Sequence, residues 1–420
     1  MDIKKLLKGI SDCTCGKSHS CPIDYVDIAD GAIDRIPDMC KNFKKILIVC
    51  DDNTYAACGK AVEAKLLDST EKLLILKAQT DVVIPDETQI EEIDKCVTKD
   101  TDLILGVGSG VINDLCKYVS FKNNLPYYIV ATAPSMDGYA SVGSALILSG
   151  MKVTLNAAPP KAIIAEPAVL ATAPTPMLQS GYGDIIGKYS CLNDWKLARI
   201  IKDEYFCDEV YDLTMSCVKE VEPLAKAVLA RDTTAVGALM EALVAVGIAM
   251  AYVGNSRPAS GSEHHLSHFF EITGILDNKE YFLHGIDVMY SAAVTCKLRE
   301  MILKNGIEDT KQDRGDWTAE VRRIYSTSAD ECIALQNKVG FYAADDSAAV
   351  SSKKEEIKLV LKGCPGFDYM KSLLDAIELD FDAFIDMYGL DKIADAVLYG
   401  KDLKDRYTVL WLYYQFFKRG

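Results

Sequence analysis

The strongest constraint on this fold is a set of short runs near the start of the chain that are apolar over almost their whole length. Residues 45–50 (KILIVC) close on Asp51 and Asp52, and residues 73–76, 102–106 and 127–131 repeat the pattern. A strand with one wet face alternates apolar and polar positions. Runs with almost no polar position must be covered on both faces, which is the condition of a parallel sheet flanked by helices. The segments between the runs are long enough to be those helices, so an α/β domain is expected. Residues 152–155 and 162–165 read as two further strands around the Pro159-Pro160 turn.

After Pro174 and Pro176 the texture changes. Strand-like runs stop, and Ala-rich amphipathic stretches such as residues 234–252 and 367–380 take over. A chain of 420 residues is too long for one ordinary core. The expected organisation is an α/β domain over residues 1–174, with residues 1–24 as an N-terminal extension, and an all-α domain over residues 175–420.

Charge narrows the partners. The formal net charge is −15, and an acidic surface repels phosphate backbones and anionic lipid, so neither nucleic acid nor membrane insertion is expected. The longest apolar run, residues 242–254, is too short to span a bilayer and reads as a buried helix. The N-terminus has no apolar run long enough for a signal peptide. The fourteen cysteines are scattered, as reduced thiols of a cytoplasmic protein would be. Cys13, Cys15, His19 and Cys21 in CTCGKSHSC form a small cluster, but C-x-C-x3-H-x-C is not a familiar zinc spacing. Reduced thiols in a disordered segment are the expectation there.

A nucleotide signal lies in LILGVGSGVINDLCKYV, residues 103–119: strand, glycine turn, helix. Gly106, Gly108 and Gly110 let backbone amides approach an anion, and the helix that follows adds its positive end. The spacing is G-x-G-x-G rather than G-x-G-x-x-G, so a tight turn without a ligand accounts for it too. Asp51 and Asp52, at the end of another strand, are placed to accept ribose hydroxyls or to be solvated turn acids. Thr132 to Ser135 offers hydroxyls after the next strand, at the edge where open parallel sheets bind ligands.

The metal signal is sharper. Four of the five histidines fall between His264 and His284. His264 and His268 are four apart and share a helix face, and His284 stands at what reads as the start of the next helix. Imidazoles converging from adjacent helices suit a borderline divalent cation, and a catalytic site keeps an open position beside three protein ligands. Asp184, in GYGDIIGKYS, is the candidate carboxylate. It reads equally as an acid early in a helix, favoured by the dipole.

Together, GVGSGVIND, ATAPSMDGYAS, GYGDIIGKYS, RPASGSEHHLSH and FLHG resemble the sn-glycerol-1-phosphate dehydrogenase family, bacterial branch. That family stands within the group of iron-containing alcohol dehydrogenases, glycerol dehydrogenase and dehydroquinate synthase. The resemblance runs from about Tyr25 onward and implies a dehydroquinate synthase-like fold, with a nucleotide-binding α/β domain before an α-helical metal-binding domain. It implies that Asp184, His264 and His284 hold one divalent metal, zinc or nickel, with His265 the ambiguous neighbour. It also implies that His268, Asp137 and Asp184 contact substrate. Asp51, Gly108, Ser109, Gly110, Val111, Ile112, Asn113, Thr132, Ser135 and Ser141 would hold NAD(H) or NADP(H). A homodimer or larger assembly is implied as well.

The expected reaction is the reversible, NAD(P)H-linked reduction of dihydroxyacetone phosphate to sn-glycerol 1-phosphate. A metal would act as Lewis acid on the ketone, and a water chain or His268 would supply the proton. Arg257, helped by Ser260 or Ser262, and Lys188 are candidates for the substrate phosphate. Lys188 reads equally as an i, i+4 partner of Asp184. The alternatives are a glycerol or other polyol or alcohol dehydrogenase of the same group, and a non-catalytic metabolite-binding homologue.

Overall fold

The computed structural model describes residues 1–78, 82–148 and 151–417. The chain forms two units: Met1–Tyr182 with Lys219–Asn255, and Gly183–Val218 with Ser256–Gly420.

The first unit contains β1 (Tyr25–Ile28), β2 (Ile46–Asp51), β3 (Thr70–Leu76), β4 (Leu103–Gly108), β5 (Tyr127–Ala131), β6 (Gly143–Leu148), β7 (Met151–Asn156) and β8 (Ala162–Ala165). Six of them make one sheet in the order β1-β8-β5-β4-β2-β3, parallel throughout. The apolar runs explain the centre. Ile46, Ile48 and Cys50 join Leu103, Leu105, Val107, Val130 and Ile164 in one core cluster. Leu47 and Val49 point the other way and are equally buried. From β2 the chain steps outward to β3, then returns to lay β4 on the other side of β2. That reversal is a switch point, and the carboxyl ends of β2 and β4 flank the crevice where such sheets take ligands.

One expected strand lies elsewhere. Residues 152–155 fall in β7, which pairs antiparallel with β6 in a separate ribbon, Leu146 opposite Val153. The reason is legible afterwards: Lys152-Val-Thr-Leu155 alternates polar and apolar, the pattern of a strand with one wet face. Two strands were not expected: the edge strand β1 is four residues long with Asp27 inside it, and β6 opens on Gly143 and Ser144.

Sequence texture placed residues 219–255 with the C-terminal helices, whereas in the structure they belong to the first unit. The helix Thr233–Val253, expected to be amphipathic, is apolar almost all round apart from Glu241, so it has no broad polar face that names its neighbours. Its Gly247 passes so near the Gly138–Ala140 turn that an added Cβ would lie 2.6 Å from Ala140 Cβ. By length and composition this helix could cross a membrane, but 78% of its most apolar stretch is buried inside the fold, as in a core helix. The second unit is all helical among its described residues. Lys188–Lys202, Ser262–Asp277 and His284–Asn305 are the helices that position its candidate site.

Candidate metal centre and nucleotide edge

Asp184, His264 and His284 converge. One donor atom from each lies within 4.8 Å of the others, and His264 Nε2 stands 3.6 Å from Asp184 Oδ1. Asp184 sits in the last turn of the helix Thr175–Ile186, not early in it as expected, so the favourable dipole end is not what holds it there. His264 is in the first turn of Ser262–Asp277, and His284 opens His284–Asn305. His268, one turn on from His264, completes a group of three rings, with centroids 6.1 Å from His264 and 5.3 Å from His284. His265 is fully buried and is not among the converging donors.

Each imidazole is oriented by a buried carboxylate. Glu263 Oε1 lies 2.7 Å from His264 Nδ1. Glu271 serves two rings, Oε2 at 3.0 Å from His268 Nδ1 and Oε1 at 3.1 Å from His284 Nδ1. With Nδ1–H donating to a carboxylate, the Nε2 lone pair is the one left for a ligand, the arrangement typical of metal-bound histidine. His268, Glu271 and His284 also lie close enough to form a donor set, but there the donors are already committed to one another. The oxygen of Asp184 with two Nε2 atoms therefore fits a borderline divalent ion better.

Electrostatics supports that donor chemistry. Burial alone would raise the Asp184 pKa, but the Lys188 ammonium and the imidazoles of His264 and His284 pull it down to about 2. Burial pushes the His264 imidazole well down, and that of His268 to about 3. His268 is thus a neutral imidazole near pH 7, which removes it as a ready imidazolium proton donor.

Both phosphate candidates are buried and have partners within the fold. Lys188 is fully buried, with Nζ 2.7 Å from Asp184 Oδ1 and 2.9 Å from the Ala259 carbonyl. Arg257 is buried too. Its guanidinium grips Glu204 through Nε and Nη2 at 2.7 and 2.8 Å, and Nη2 also donates to the Tyr407 carbonyl at 2.7 Å. Ser262 is equally committed: its amide donates to Asp194 Oδ2 at 2.7 Å and its hydroxyl meets Ser190 at 3.1 Å. Asp194 also accepts from Arg299 and from the Val409 amide. The RPASGSEH string is thus a framework that sets the start of the helix carrying His264. Cations in an acidic chain suggested an anion clamp, but carboxylates of the same unit already pair with them.

In the first unit the glycine turn lies at the carboxyl end of β4. The helix Gly110–Lys122 starts there, with Ser109 at its N-cap. Gly108 is required by close approach, since an added Cβ would lie 2.5 Å from Ile112 Cβ. The first amides, at Ser109, Gly110, Val111 and Ile112, include those that no helical carbonyl satisfies. Asn113 differs from the expectation. It is fully buried, donates to Asp114 and accepts from Tyr127 OH, so its side chain faces the protein. Asp51 caps the short Asp52–Thr54 turn, with Oδ1 accepting from the Thr54 amide at 2.7 Å, which fixes its carboxylate at the end of β2. Thr132 is buried after β5, and its amide donates to the Gly108 carbonyl. The Ser135 carbonyl accepts from Ser180, and the Ser141 hydroxyl donates to the Gly138 carbonyl at 3.0 Å. Asp137 is nearly buried just before that turn.

The sequence reading missed three groups. Glu263 and Glu271 orient the imidazoles. Glu271 follows His268 by three residues and His264 by seven, a helix-face spacing that was available as a signal. Buried Lys117 donates to the Gly138 and Gly143 carbonyls at 2.8 and 2.9 Å and so pins the loop carrying Ser141. A lysine three residues after Asp114, close to one helical turn on, was its only mark.

A parallel sheet with its ligand edge at a glycine turn, followed by a helical unit, is the architecture of the iron-containing alcohol dehydrogenases. The family of that description matches residues 27–174. The iron-containing alcohol dehydrogenase of Thermococcus thioreducens shares the fold, with a TM-score of 0.61 at 14% identity over 91% of each chain. Within that class, the chain belongs to the glycerol-1-phosphate dehydrogenase family. It is 30% identical to the glycerol-1-phosphate dehydrogenase (NAD(P)+) of Geobacillus stearothermophilus over 404 residues, 91% of this chain and 96% of the relative. It is 34% identical to that of Geobacillus thermodenitrificans over 305 residues, 70% of this chain and 74% of the relative.

Proposed function

We propose that this protein reduces dihydroxyacetone phosphate to sn-glycerol 1-phosphate, reversibly, using NADH or NADPH and one divalent ion, zinc or nickel. The relatives' names supply the substrate and nucleotide class. The observation that carries the reading is the convergence of Asp184, His264 and His284 within 4.8 Å. When bound, the ion supplies Lewis acidity toward the ketone oxygen and the nicotinamide supplies the hydride.

The chain's own residues do the rest. Lys188 keeps Asp184 ionised, so the carboxylate is ready as a ligand without a proton to lose. Glu263 and Glu271 hold the imidazoles of His264 and His284 with Nε2 presented. His268 and Asp137 are taken as substrate contacts. With Nδ1–H committed to Glu271, His268 offers Nε2 as an acceptor for a substrate hydroxyl, and the alcohol proton is drawn from water. Asp51 is taken to accept ribose hydroxyls. The Gly108 turn and the amides from Ser109 to Ile112 would hold the pyrophosphate, and Thr132, Ser135 and Ser141 would line the remainder. A cytoplasmic location and a homodimer or larger assembly complete the reading, supported by the free, mostly buried cysteines and the family resemblance.

The test follows oxidation of NADH and NADPH after chelation and metal add-back, with dihydroxyacetone phosphate, dihydroxyacetone and simple aldehydes as substrates. The phosphorylated ketone should be preferred, and a divalent metal should restore the rate. Preference for unphosphorylated polyols would make this a polyol dehydrogenase, and no turnover would make it a binding homologue. Asp184→Ala or His264→Ala should abolish turnover while nucleotide binding survives. Retained activity at normal metal content would reject the ligand set.

A further inference from the structure

The N-terminal extension ends in a feature that the proposed reaction does not use. Residues 10–19 form a loop closed by a small antiparallel bridge, with the Ile10 amide to the His19 carbonyl at 2.9 Å and the His19 amide to the Ile10 carbonyl at 2.8 Å. Inside it Cys13-Thr-Cys15-Gly16 makes a tight turn. The Gly16 amide donates to the Cys13 carbonyl at 3.0 Å, and Gly16 takes φ +81°, a conformation suited to glycine. The loop is not the disordered segment that the sequence suggested. Cys13 and His19 are buried and Cys15 is half-buried. The two sulfurs and a ring nitrogen of His19 lie within 4.8 Å of one another, and Cys15 Sγ is 3.3 Å from His19 Nε2. Cys21 is not among these donors.

The histidine is also oriented as a ligand would be. Its Nδ1 lies 2.8 Å from the Tyr252 carbonyl, and its ring stacks on the Tyr252 ring at a centroid distance of 5.5 Å. A backbone carbonyl on Nδ1–H fixes the tautomer that leaves the Nε2 lone pair facing the sulfurs, the usual outer contact of a metal-bound imidazole.

From this we infer that Cys13, Cys15 and His19 bind a zinc-type cation, separate from the candidate catalytic ion. Two thiolates and an imidazole are a soft donor set that selects zinc over calcium, magnesium or manganese. Binding releases the two thiol protons, and the dication balances the two thiolate charges. The ion would close the loop and fasten the N-terminal extension to the end of the helix Thr233–Val253. That extension already meets the helix through Tyr252 OH to the Leu6 carbonyl, and through the Met1 ammonium 3.0 Å from Glu241. The inference does not depend on what the chain catalyses.

The test counts metal in the full-length protein purified from zinc-supplemented cells. His284→Ala disables the candidate catalytic centre, so that variant should retain about one zinc per chain, and Cys15→Ser added to it should leave about none. Cys15→Ser alone should lose one ion yet keep turnover within about threefold, because its ligands lie outside the reaction. Cobalt substitution supplies a readout that does not rest on activity. His284→Ala should still show thiolate-to-cobalt charge-transfer absorption, and Cys13→Ser and His19→Gln should diminish or abolish it. A His284→Ala protein without zinc, a zinc count unchanged by both cysteine variants, or a cobalt spectrum without thiolate bands would each overturn the inference.

Discussion

Glu271 is one carboxylate holding two imidazoles, and that sharing makes Glu271→Gln a discriminating perturbation. The replacement has almost the same shape and sits at a buried position, so packing changes little. Its amide keeps one acceptor oxygen. The other oxygen, which now faces His268 or His284 at 3.0 or 3.1 Å, becomes an NH2 that cannot accept. One imidazole then loses its partner or moves its proton to Nε2, where a metal would have to bind. A hydrogen bond to a charged group is worth about 1.5–3 kcal/mol, and loss of an outer-shell partner costs about 10–100-fold in metal affinity. Those ranges agree, since each tenfold is about 1.4 kcal/mol. A zinc affinity about 30-fold weaker is expected, with the fold intact. The assay is titration of chelated protein in zinc buffers, followed by calorimetry, with turnover measured at each free-zinc level. Affinity within about threefold of the parent would refute the claim that Glu271 sets the ligand tautomers.

Other expectations follow from the same geometry. Lys188→Met should cost the metal-free protein about 3–5 kcal/mol, because it leaves Asp184 buried without its ammonium. Saturating zinc should recover part of that loss, and urea unfolding giving equal losses with and without zinc would contradict it. Arg257→Lys should lower stability by about 2 kcal/mol by breaking the fork on Glu204, while the KM for dihydroxyacetone phosphate stays within about twofold. A large KM rise at unchanged stability would return Arg257 to the phosphate. Acid should destabilise the fold from an early point. Burial lowers the pKa of His265 well below its usual value and that of His268 to about 3. Unfolded imidazoles gain protons below about pH 6.5 while the folded ones do not, so each can remove up to about 1.4 kcal/mol per pH unit as pH falls from there toward the folded value. Chemical denaturation at pH 7.5 and 5.0 reads this directly, and equal stabilities would refute it.

What the sequence disclosed depended on whether a residue's partners were near it in the chain. β2, β4, β5 and β8 were legible because burial on both faces erases polar positions, which a local window detects. The placement of residues 152–155 was not, because a strand assignment says nothing about which sheet the strand joins. His264, His268 and His284 stood out through rarity and spacing, while Asp184 read equally as a ligand and as an ordinary helix acid until the resemblance favoured the first. The Arg257 pairing with Glu204, 53 residues away, was invisible in the sequence because only folding brings the two together. Lys188 showed both its readings in advance, and the structure pairs it with Asp184 at 2.7 Å. The fold of residues 10–19 around Cys13, Cys15 and His19 was hidden because the spacing matches no common metal motif.

The route of the chain has a consequence for how this protein can be divided. It leaves the sheet-bearing part at Tyr182, returns at Lys219, and departs again at Asn255. A fragment ending at the proline-rich junction after residue 173 would lack the helix Thr233–Val253, exposing the surfaces of the Gly138–Ala140 turn and of Pro167 that Gly247 and Gly237 now cover. That fragment is therefore not a portable module, and recombination at that junction would carry away a nucleotide scaffold with part of its own interior missing.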